Sequence, residues 1–274
     1  MLAIGVDLEA LAELARGKRV VALTGAGCST ESGIPDYRGP DARPRSPLQH
    51  RDFVDKPEAR RRYWARSAVG WPRFRAARPN AGHRALAALE HAGALAGIIT
   101  QNVDGLHGAA GSREVVELHG ALARVRCLAC ERVTTRDEMQ DRLLAANAGW
   151  SAASAPAAPD GDVELPDELV ASFRVVPCEA CGGVLMPDVV FFGGSVPRAT
   201  LDAAWASFAR AELLLVVGTS LAVFSGYRFV RRAAEAGVPI AIVNHGPTRG
   251  DGHATLRLDA RCGEALPRLA RMLA

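Results

Sequence analysis

Short apolar runs recur along the chain, and longer stretches with apolar residues at helical spacing separate several of them. The runs cover residues 20–23, 97–100, 115–118, 213–217 and 239–243. Continuous apolar runs of this length are typical of strands buried on both faces of a sheet. Strands that alternate with helices favour a parallel sheet with right-handed crossovers. The pattern therefore predicts an α/β fold.

The helical stretches carry start and stop signals. Leu8, Leu11 and Leu14 share one helical face and Gly17 follows them, which predicts a helix before the first strand. A Pro- and Arg-rich segment and a further helix form an excursion over about 40–80. The other predicted helices cover about 58–69, 79–92, and a closing stretch through Leu266 and Leu269.

The first strand runs into a loop of small residues. Gly25 and Gly27 let the backbone turn sharply and approach a ligand, and we expect Ser29 and Thr30 to cap a following helix. N–H groups at such a helix start favour a diphosphate, although a tight turn without a ligand is the alternative reading. The glycine pattern is not GxGxxG, which disfavours a standard dehydrogenase.

Polar residues also follow the later strands. Gln101, Asn102 and Asp104 come directly after the second strand, where ligands bind in doubly wound sheets. The alternative is a turn in which Asn and Asp satisfy their own backbone. The 213–217 run ends in Gly218, Thr219 and Ser220, and the 239–243 run ends at Asn244. We expect these strand ends to line one crevice.

Four of the six cysteines form two C-x-x-C pairs, Cys127 with Cys130 and Cys178 with Cys181. Two such pairs predict a tetrahedral, structural zinc site with no open position. Two disulfides are the alternative, which the lack of an export signal disfavours. Residues 131–177 separate the pairs, well over the roughly 15–20 of compact sites, and 145–166 is predicted to be an extended loop. Cys28 and Cys262 remain as unpaired thiols.

Composition narrows the class of protein. With 274 residues, 49% hydrophobic and 23% charged, the chain predicts one large domain and a smaller one. Its net charge of +3 is interspersed, so no direct binding to nucleic acid is expected. Asp7 and Glu9 argue against a signal peptide, and no apolar run is long enough for a membrane span. We expect a cytoplasmic protein, and a monomer.

Several motifs resemble those of the sirtuins, the NAD-dependent protein deacylases. GAGCSTESGIPDYRG (25–39) resembles the family's opening motif, TQNVD (100–104) its second motif, and the His119-Gly120 pair precedes the zinc cysteines as it does there. The long insert, together with RYWAR (62–66), VGWP (69–72) and PDVVFFG (187–193), most resembles the class II branch of lipoamidase and ADP-ribosyltransferase type.

The resemblance implies a Rossmann-like doubly wound sheet formed by 1–120 and 188–274, with a zinc module over 121–187. It implies His119 as general base and Asn102 beside the nicotinamide. His83, His91 and His107 lack that context and are read as surface or capping residues. The implied NAD-binding residues are Gly25, Ala26, Gly27, Ser29, Thr30, Ile34, Asp36, Tyr37, Arg38, Gln101, Asn102, Val103, Asp104, Gly218, Thr219, Ser220, Asn244, His245, Gly246 and Cys262.

The activity implied by the resemblance is transfer of an acyl group from lysine to ADP-ribose, with release of nicotinamide and O-acyl-ADP-ribose. Substrate peptides would pair with Val190, Phe191, Phe192 and Gly193, although Gly193 precedes Gly194 where many members have Glu. Two rival functions are protein ADP-ribosylation at the same site and a non-catalytic zinc-ribbon binding module.

The helical pair Tyr63 and Arg66 is similar to a motif that holds acidic acyl chains in the desuccinylase branch. The resemblance therefore predicts faster removal of dicarboxylic acyl groups than of acetyl. The alternative is that Tyr63 packs within the helical module while Arg66 is solvated.

Overall fold

The computed structural model describes residues 2–37, 47–150, 163 and 165–273, with side chains from residue 7 onward. The chain divides into two compact units. The described residues of the first lie within 2–37, 78–119 and 196–273, and those of the second within 47–77 and 120–195.

The strands fall into two sheets, of six and three strands. In chain order they are β1 (Val20–Thr24), β2 (Leu95–Thr100), β3 (Val115–Glu117), β4 (Gly120–Cys127), β5 (Val133–Thr135), β6 (Leu185–Val189), β7 (Leu213–Val217), β8 (Ile240–Val243) and β9 (Leu256–Leu258).

The helices of the described residues are distributed over both units. In chain order they are α1 (Leu2–Ala15), α2 (His50–Asp55), α3 (Pro57–Arg75), α4 (Ala81–His91), α5 (Leu106–Ala109), α6 (Arg136–Ala146), α7 (Asp167–Ser172), α8 (Arg198–Phe208), α9 (Phe224–Glu235) and α10 (Cys262–Leu273). None of them is long and apolar enough to cross a membrane.

The first unit is a doubly wound parallel sheet, which confirms the predicted fold class. Its strand order is β3-β2-β1-β7-β8-β9, and every pairing within it is parallel. Successive strand residues point to opposite faces, so Ala22 packs with α1, α4 and α10 while Leu23 packs with α8 and α9. Burial on both faces explains why the central strands β1, β2, β7 and β8 read as unbroken apolar runs.

The second unit holds the antiparallel sheet β5-β4-β6 and helices α2, α3, α6 and α7. Its core joins aromatic residues of the helical segment to the strands around the cysteines, with Phe53, Tyr63 and Trp64 in one cluster with Val125 and Leu185. The segment expected as an excursion of the nucleotide domain therefore belongs to the same compact unit as the cysteines.

Three further expectations differ from the structure. The chain was expected to join the large sheet from residue 188, but β6 extends to Val189 and pairs antiparallel with β4 in the small sheet, with Met186 opposite Arg126. The helix expected over 58–69 extends to Arg75 and contains Pro72. The insert between the cysteine pairs includes α6 and α7, whose apolar residues belong to the second unit's core. The middle of the predicted loop, 151–162, lies outside the described residues.

Candidate active site and metal centre

The centre of the large sheet is a topological switch point. From β1 the chain proceeds to β2 and β3 on one side, whereas β7, β8 and β9 follow on the other. In such sheets the ligand crevice lies beyond the carboxyl ends of the strands on either side of the switch. Here those ends are Gly25 after β1 and Gly218 after β7, with Gln101 after β2 and Asn244 after β8.

The glycine loop lies directly against the end of β7. The N–H of Gly27 donates to the carbonyl of Gly218 at 2.8 Å. A Cβ on Gly25 would lie 2.6 Å from Cβ of Thr219, so a larger residue would separate the two loops. Gly218 itself has a φ of 56°, in the left-handed region that favours glycine.

The predicted helix after this loop is absent from the described structure. Two short 3₁₀ turns, Ala26–Cys28 and Thr30–Ser32, take its place. Ser29 and Thr30 make no helix cap, since the Thr30 hydroxyl donates to the carbonyl of Gly27 and Ser29 turns toward the end of β2. The 3₁₀ bonds also occupy the N–H groups of Cys28 and Ser29, which a helix start at this place would have presented to a phosphate.

Ser29, Asn102 and Asp104 form a buried polar network. The Ser29 hydroxyl donates to the Asp104 carboxylate at 2.7 Å, and the Asn102 amide donates to Ser29 Oγ at 3.0 Å and to the Gly25 carbonyl at 3.1 Å. Burial raises the pKa of Asp104, opposed by hydrogen bonds from Leu106 N–H and the Ser29 hydroxyl. The network fixes the orientation of an amide and a carboxyl group beside the glycine loop.

His119 follows β3 with both ring nitrogens engaged. Nδ1 lies 2.9 Å from the carbonyl oxygen of Gln101, and Nε2 lies 2.7 Å from the hydroxyl of Ser225. Burial lowers the pKa of His119, and the charge of Arg228 lowers it further, against the effect of the Gln101 hydrogen bond. The ring is therefore neutral near pH 7, which is the state a general base requires.

The Gln101 side chain links two of the strand ends. Its amide donates to the β1 carbonyl of Thr24 at 3.2 Å and to the hydroxyl of Thr219 at 3.1 Å. Val103 and Ser220, also predicted to bind NAD, are partly buried in the turns next to these residues.

The end of β8 forms a turn stabilised by Asn244. Its amide donates to the carbonyls of His245 and Gly246 at 3.1 and 2.9 Å, and His245 lies 3.1 Å from Asp259. The thiol of Cys262 is buried at the start of α10.

The predicted cofactor residues after the glycine loop differ in exposure. Ala26 is partly buried, Ile34 is buried, Asp36 is partly buried and Tyr37 is 39% exposed. Arg38 lies outside the described residues.

His83 and His107 were predicted to be surface or capping residues, but neither lies at the surface, because both are in the core, at 0% and 2% exposed. His83 does cap α4, where Asn80 and His83 form a reciprocal capping box. His107 lies 2.9 Å from the hydroxyl of Thr24, the last residue of β1. Burial lowers the pKa of His83 to about 4 and that of His107 to about 3. His91 is exposed.

The thiol of Cys28 lies in the same interior. A hydrogen bond with Cys262 and burial raise its pKa well above the ordinary value of a thiol. Such a thiol is protonated at neutral pH, so it has little nucleophilic character.

The second unit brings the four predicted ligands together. The sulfurs of Cys127, Cys130, Cys178 and Cys181 lie within 4.8 Å of one another, and no disulfide joins them. Cys127 and Cys181 sulfurs are 3.5 Å apart, and Cys130 and Cys178 sulfurs 3.8 Å. Four sulfurs at about 2.3 Å from one Zn²⁺ would lie about 3.8 Å apart, so the residues fit a tetrahedral zinc ion.

The turn after Cys127 favours the thiolate form of that residue, whereas the neighbouring cysteine thiols raise the pKa of Cys181. Hydrogen bonds from the backbone N–H groups of Cys130 and Ala129 lower the pKa of Cys127 to about 6. Gly182, with a φ of 73°, allows the second turn, in which its N–H donates to the carbonyl of Cys178 at 2.8 Å. With four protein ligands the metal has no open position and is structural.

The predicted peptide-binding segment follows β6 in the second unit. Phe192 forms a parallel bridge with Gln49, and its carbonyl accepts from His50 N–H at 2.8 Å. Gly193 has a φ of 75°, and Val190 and Phe191 are partly buried.

Tyr63 and Arg66 occupy different surroundings on α3. Tyr63 is buried and packs edge-to-face on Phe53 and Phe191, with ring centroids 5.5 and 5.3 Å apart. Arg66 Nε donates to the carbonyl of Val163 at 2.5 Å. Tyr63 therefore packs as the alternative reading expected, and Arg66 is tied to the backbone of the insert.

Several residues of the site carry no signal that sequence reasoning used. Glu31 accepts from the N–H of Gly263 at 2.7 Å and so binds the first turn of α10 to the glycine loop. Ser225 and Arg228 approach His119 from α9, 106 positions or more along the chain. In the sequence, Ser225 and Arg228 form a polar pair at i, i+3 near the start of an amphipathic helix, and this spacing is the signal that could have identified them.

The groups at the carboxyl ends of β1, β2, β7 and β8 fit a dinucleotide. The glycine loop and the loop after β7 approach so closely that a Cβ at Gly25 or Gly27 would lie within 3.0 Å of residue 218 or 219. The surface that they form consists of small residues and lies beside buried amide, hydroxyl and carboxyl groups. Fold and site together define a nucleotide-binding α/β enzyme with a four-thiolate metal module.

Comparison with known proteins agrees with this class. The Sir2 family matches residues 25–225. The chain is 55% identical over 269 residues to NAD-dependent protein deacetylase 1 of Streptomyces coelicolor, which covers 97% of this chain and 90% of that protein. It is 51% identical over 271 residues to the human NAD-dependent protein lipoamidase sirtuin-4, mitochondrial, covering 96% and 86%. A solved Sir2–p53 peptide–NAD⁺ complex superimposes with a TM-score of 0.77 at 31% identity, covering 96% and 97%.

The chain therefore belongs to the Sir2 family, and it is an NAD-dependent enzyme of the sirtuin class. This confirms the resemblance and the predicted cofactor. The roles of individual residues remain predictions.

Proposed function

We propose that this enzyme removes acyl groups from protein lysine side chains and transfers them to ADP-ribose, with His119 as the general base. The observation that carries the proposal is the arrangement of His119. Its ring is neutral, its Nδ1 is held by the Gln101 carbonyl, and its Nε2, which lies 2.7 Å from the Ser225 hydroxyl, carries the lone pair. A correctly placed base of this kind contributes about 10²–10⁴-fold in rate.

NAD, when bound, supplies a ribose whose bond to nicotinamide already has a good leaving group. The residues that would hold it are those at the carboxyl ends of β1, β2, β7 and β8. In the proposal, Asn102 and Asp104 orient the nicotinamide and its ribose, and Thr219 and Asn244 hold more distant parts of the cofactor. Hydrogen bonds with Ser29, Gly25 and Gln101 keep Asp104, Asn102 and Thr219, respectively, in place before the ligand arrives, which lowers the cost of ordering them on binding.

Two relatives support the class of substrate. The Streptomyces relative is a protein deacetylase and the human relative a protein lipoamidase, so both act on proteins. We assign Val190–Gly193 to the acyl-lysine peptide, because this segment follows strand β6 and has strand-like backbone geometry at Phe192, as its bridge to Gln49 indicates.

The proposal includes a preference for acidic acyl chains read by Arg66. A charge-assisted hydrogen bond to a carboxylate is worth about 1.5–3 kcal/mol. Because Arg66 also donates to the Val163 carbonyl, binding an acyl carboxylate would use other N–H groups of the guanidinium or would break that hydrogen bond. Dicarboxylic acyl groups should then be removed faster than acetyl by wild type, and the preference should vanish in Arg66→Ala. Arg61→Ala, an exposed arginine on the same helix, is the matched control.

The experiment for the main proposal combines NAD with a panel of acyl-lysine peptides and identifies both products by mass spectrometry. Release of free lysine peptide with an equal amount of O-acyl-ADP-ribose is expected. His119→Ala should lose this activity, whereas His91→Ala, which removes an exposed histidine, should retain it. Activity of His119→Ala within a few-fold of wild type would remove His119 from the mechanism.

The same experiment tests the rival ADP-ribosylation reaction. A protein target that gains the mass of ADP-ribose, with no O-acyl-ADP-ribose formed, would replace deacylation by that function. Turnover of NAD in either case would exclude a purely non-catalytic zinc module.

A further inference from the structure

The hydroxyl of Ser225 lies 2.7 Å from Nε2 of His119. The direction of this hydrogen bond follows from the other side of the ring. Nδ1 is 2.9 Å from the Gln101 carbonyl oxygen, and a carbonyl can only accept, so Nδ1 carries the proton of the neutral ring. Nε2 therefore has the lone pair, and Ser225 donates to it.

The position of Ser225 is set by the close approach of α9 to the end of β2. Ser225 is the second residue of α9, and the next residue is Gly226. A Cβ on Gly226 would lie 2.9 Å from the Gln101 amide nitrogen and closer still to the rest of that side chain. The helix start lies this close to Gln101 because residue 226 has no side chain, and a Cβ there would displace the Gln101 amide group.

We propose that Ser225 is a positioning residue for the general base, donating to Nε2 before proton transfer and accepting from the new Nε2–H afterwards. This inference rests on the proposed function of His119. Nε2 has one lone pair, so the Ser225 hydroxyl must turn its proton away from Nε2 before the ring can take the proton of the hydroxyl that it deprotonates. That O–H bond breaks, the Nε2–H bond forms, and Ser225 keeps its own proton on Oγ. No net proton passes through Ser225.

The groups around His119 disfavour its protonated form, so a hydrogen-bond acceptor for the Nε2–H of that form stabilises it. His119 is flanked by Arg228, one turn further along α9, and by the neutral Gln101 carbonyl. Burial and the Arg228 charge both disfavour the imidazolium, so the described groups offer it the Gln101 carbonyl on one side and Ser225 on the other. Hydrogen bonds to an ionised partner are roughly twice as strong as neutral ones, so the hydroxyl favours the protonated ring overall.

The test compares Ser225→Ala, Ser225→Thr and Ser207→Ala. Ser207 lies on α8 and its hydroxyl has no hydrogen-bond partner among the described residues, so it is the matched control. We expect Ser225→Ala to lower kcat about tenfold with little change in KM for NAD. The acid limb of its kcat profile should move to lower pH, because the charged ring loses an acceptor. Ser225→Thr should restore both, and Ser207→Ala should match wild type.

A second readout does not depend on turnover. NMR titration of the His119 ring in the unliganded protein should give a lower pKa in Ser225→Ala than in wild type and Ser225→Thr. An unchanged titration, or an unchanged kcat profile in a folded Ser225→Ala protein, would overturn the assignment. Loss of thermal stability alone, with both readouts unchanged, would show a purely structural role. Failure of the proposed function would instead appear as a wild-type enzyme that forms no deacylated product.

Discussion

The two buried histidines of the first unit should make its stability depend on pH. His83 and His107 have pKa values of about 4 and about 3 in the folded protein, against about 6.5 in an unfolded chain. A lowered folded pKa means that the unfolded state binds more protons as the pH falls. Their stabilisation is therefore present above about pH 6.5 and is lost progressively down to the folded pKa values.

The magnitude follows from linkage. Between pH 7 and pH 5 each unfolded histidine becomes almost fully protonated while its folded counterpart stays neutral, which costs about 2 kcal/mol per histidine and about 4 kcal/mol together. His119, also with a lowered pKa, adds to the loss, and Asp104, with a raised pKa, reduces it. The interval from about pH 7 to about pH 5 lies above the pH range in which ordinary surface carboxylates titrate.

Hydrogen exchange of the β1 amides measures this loss in the first unit, after correction for the intrinsic exchange rate at each pH. His107→Gln removes one of the two titrating histidines, so it should retain about half of the pH dependence. The Gln amide can still donate to Thr24, which limits other changes in stability. His91→Gln, at an exposed position, should retain all of it. The difference between variant and wild type cancels the contributions of the zinc cysteines, His119 and Asp104. Equal pH dependence in His107→Gln and wild type would refute the reasoning.

Three further predictions concern stability. The purified protein should contain about one equivalent of zinc, and Cys127→Ser should unfold the second unit, because a structural metal contributes folding free energy; metal analysis showing no zinc would refute the site. Gly218→Ala should destabilise the protein by at least about 1–2 kcal/mol by urea denaturation, because φ is 56° and a Cβ would lie 2.7 Å from the Gly27 carbonyl carbon; unchanged stability would contradict this. Arg136→Lys should cost about 1–2 kcal/mol, since the guanidinium lies over Trp64 and Trp71 at 5.4 and 5.1 Å; tryptophan fluorescence of the second unit reports it, and a neutral result would show that the stacking is not stabilising.

The central strands of the large sheet could be predicted from the sequence because they are buried on both faces, whereas the half-buried edge strand β9 was not predicted. Ala22 and Leu23 must both be apolar, since alternate residues face two helical layers, and the resulting runs stand out without any tertiary information. The zinc centre was equally accessible, because C-x-x-C spacing alone sets two thiolates on one tight turn. The glycine loop and the polar strand ends followed from the same logic.

Other features were decided only by tertiary structure. A histidine in sequence gives no sign of its burial, so the sequence did not show that packing between α4, α5 and β1 withdraws His83 and His107 from water. The helical segment 57–75 joins the cysteine unit because its aromatic side chains complete that unit's core. Ser225 meets His119 across 106 positions of sequence, because a parallel sheet brings the end of β3 and the start of α9 to one edge. Local pattern fixes which residues must be buried or must turn, but which distant side chains become neighbours depends on strand order and helix packing.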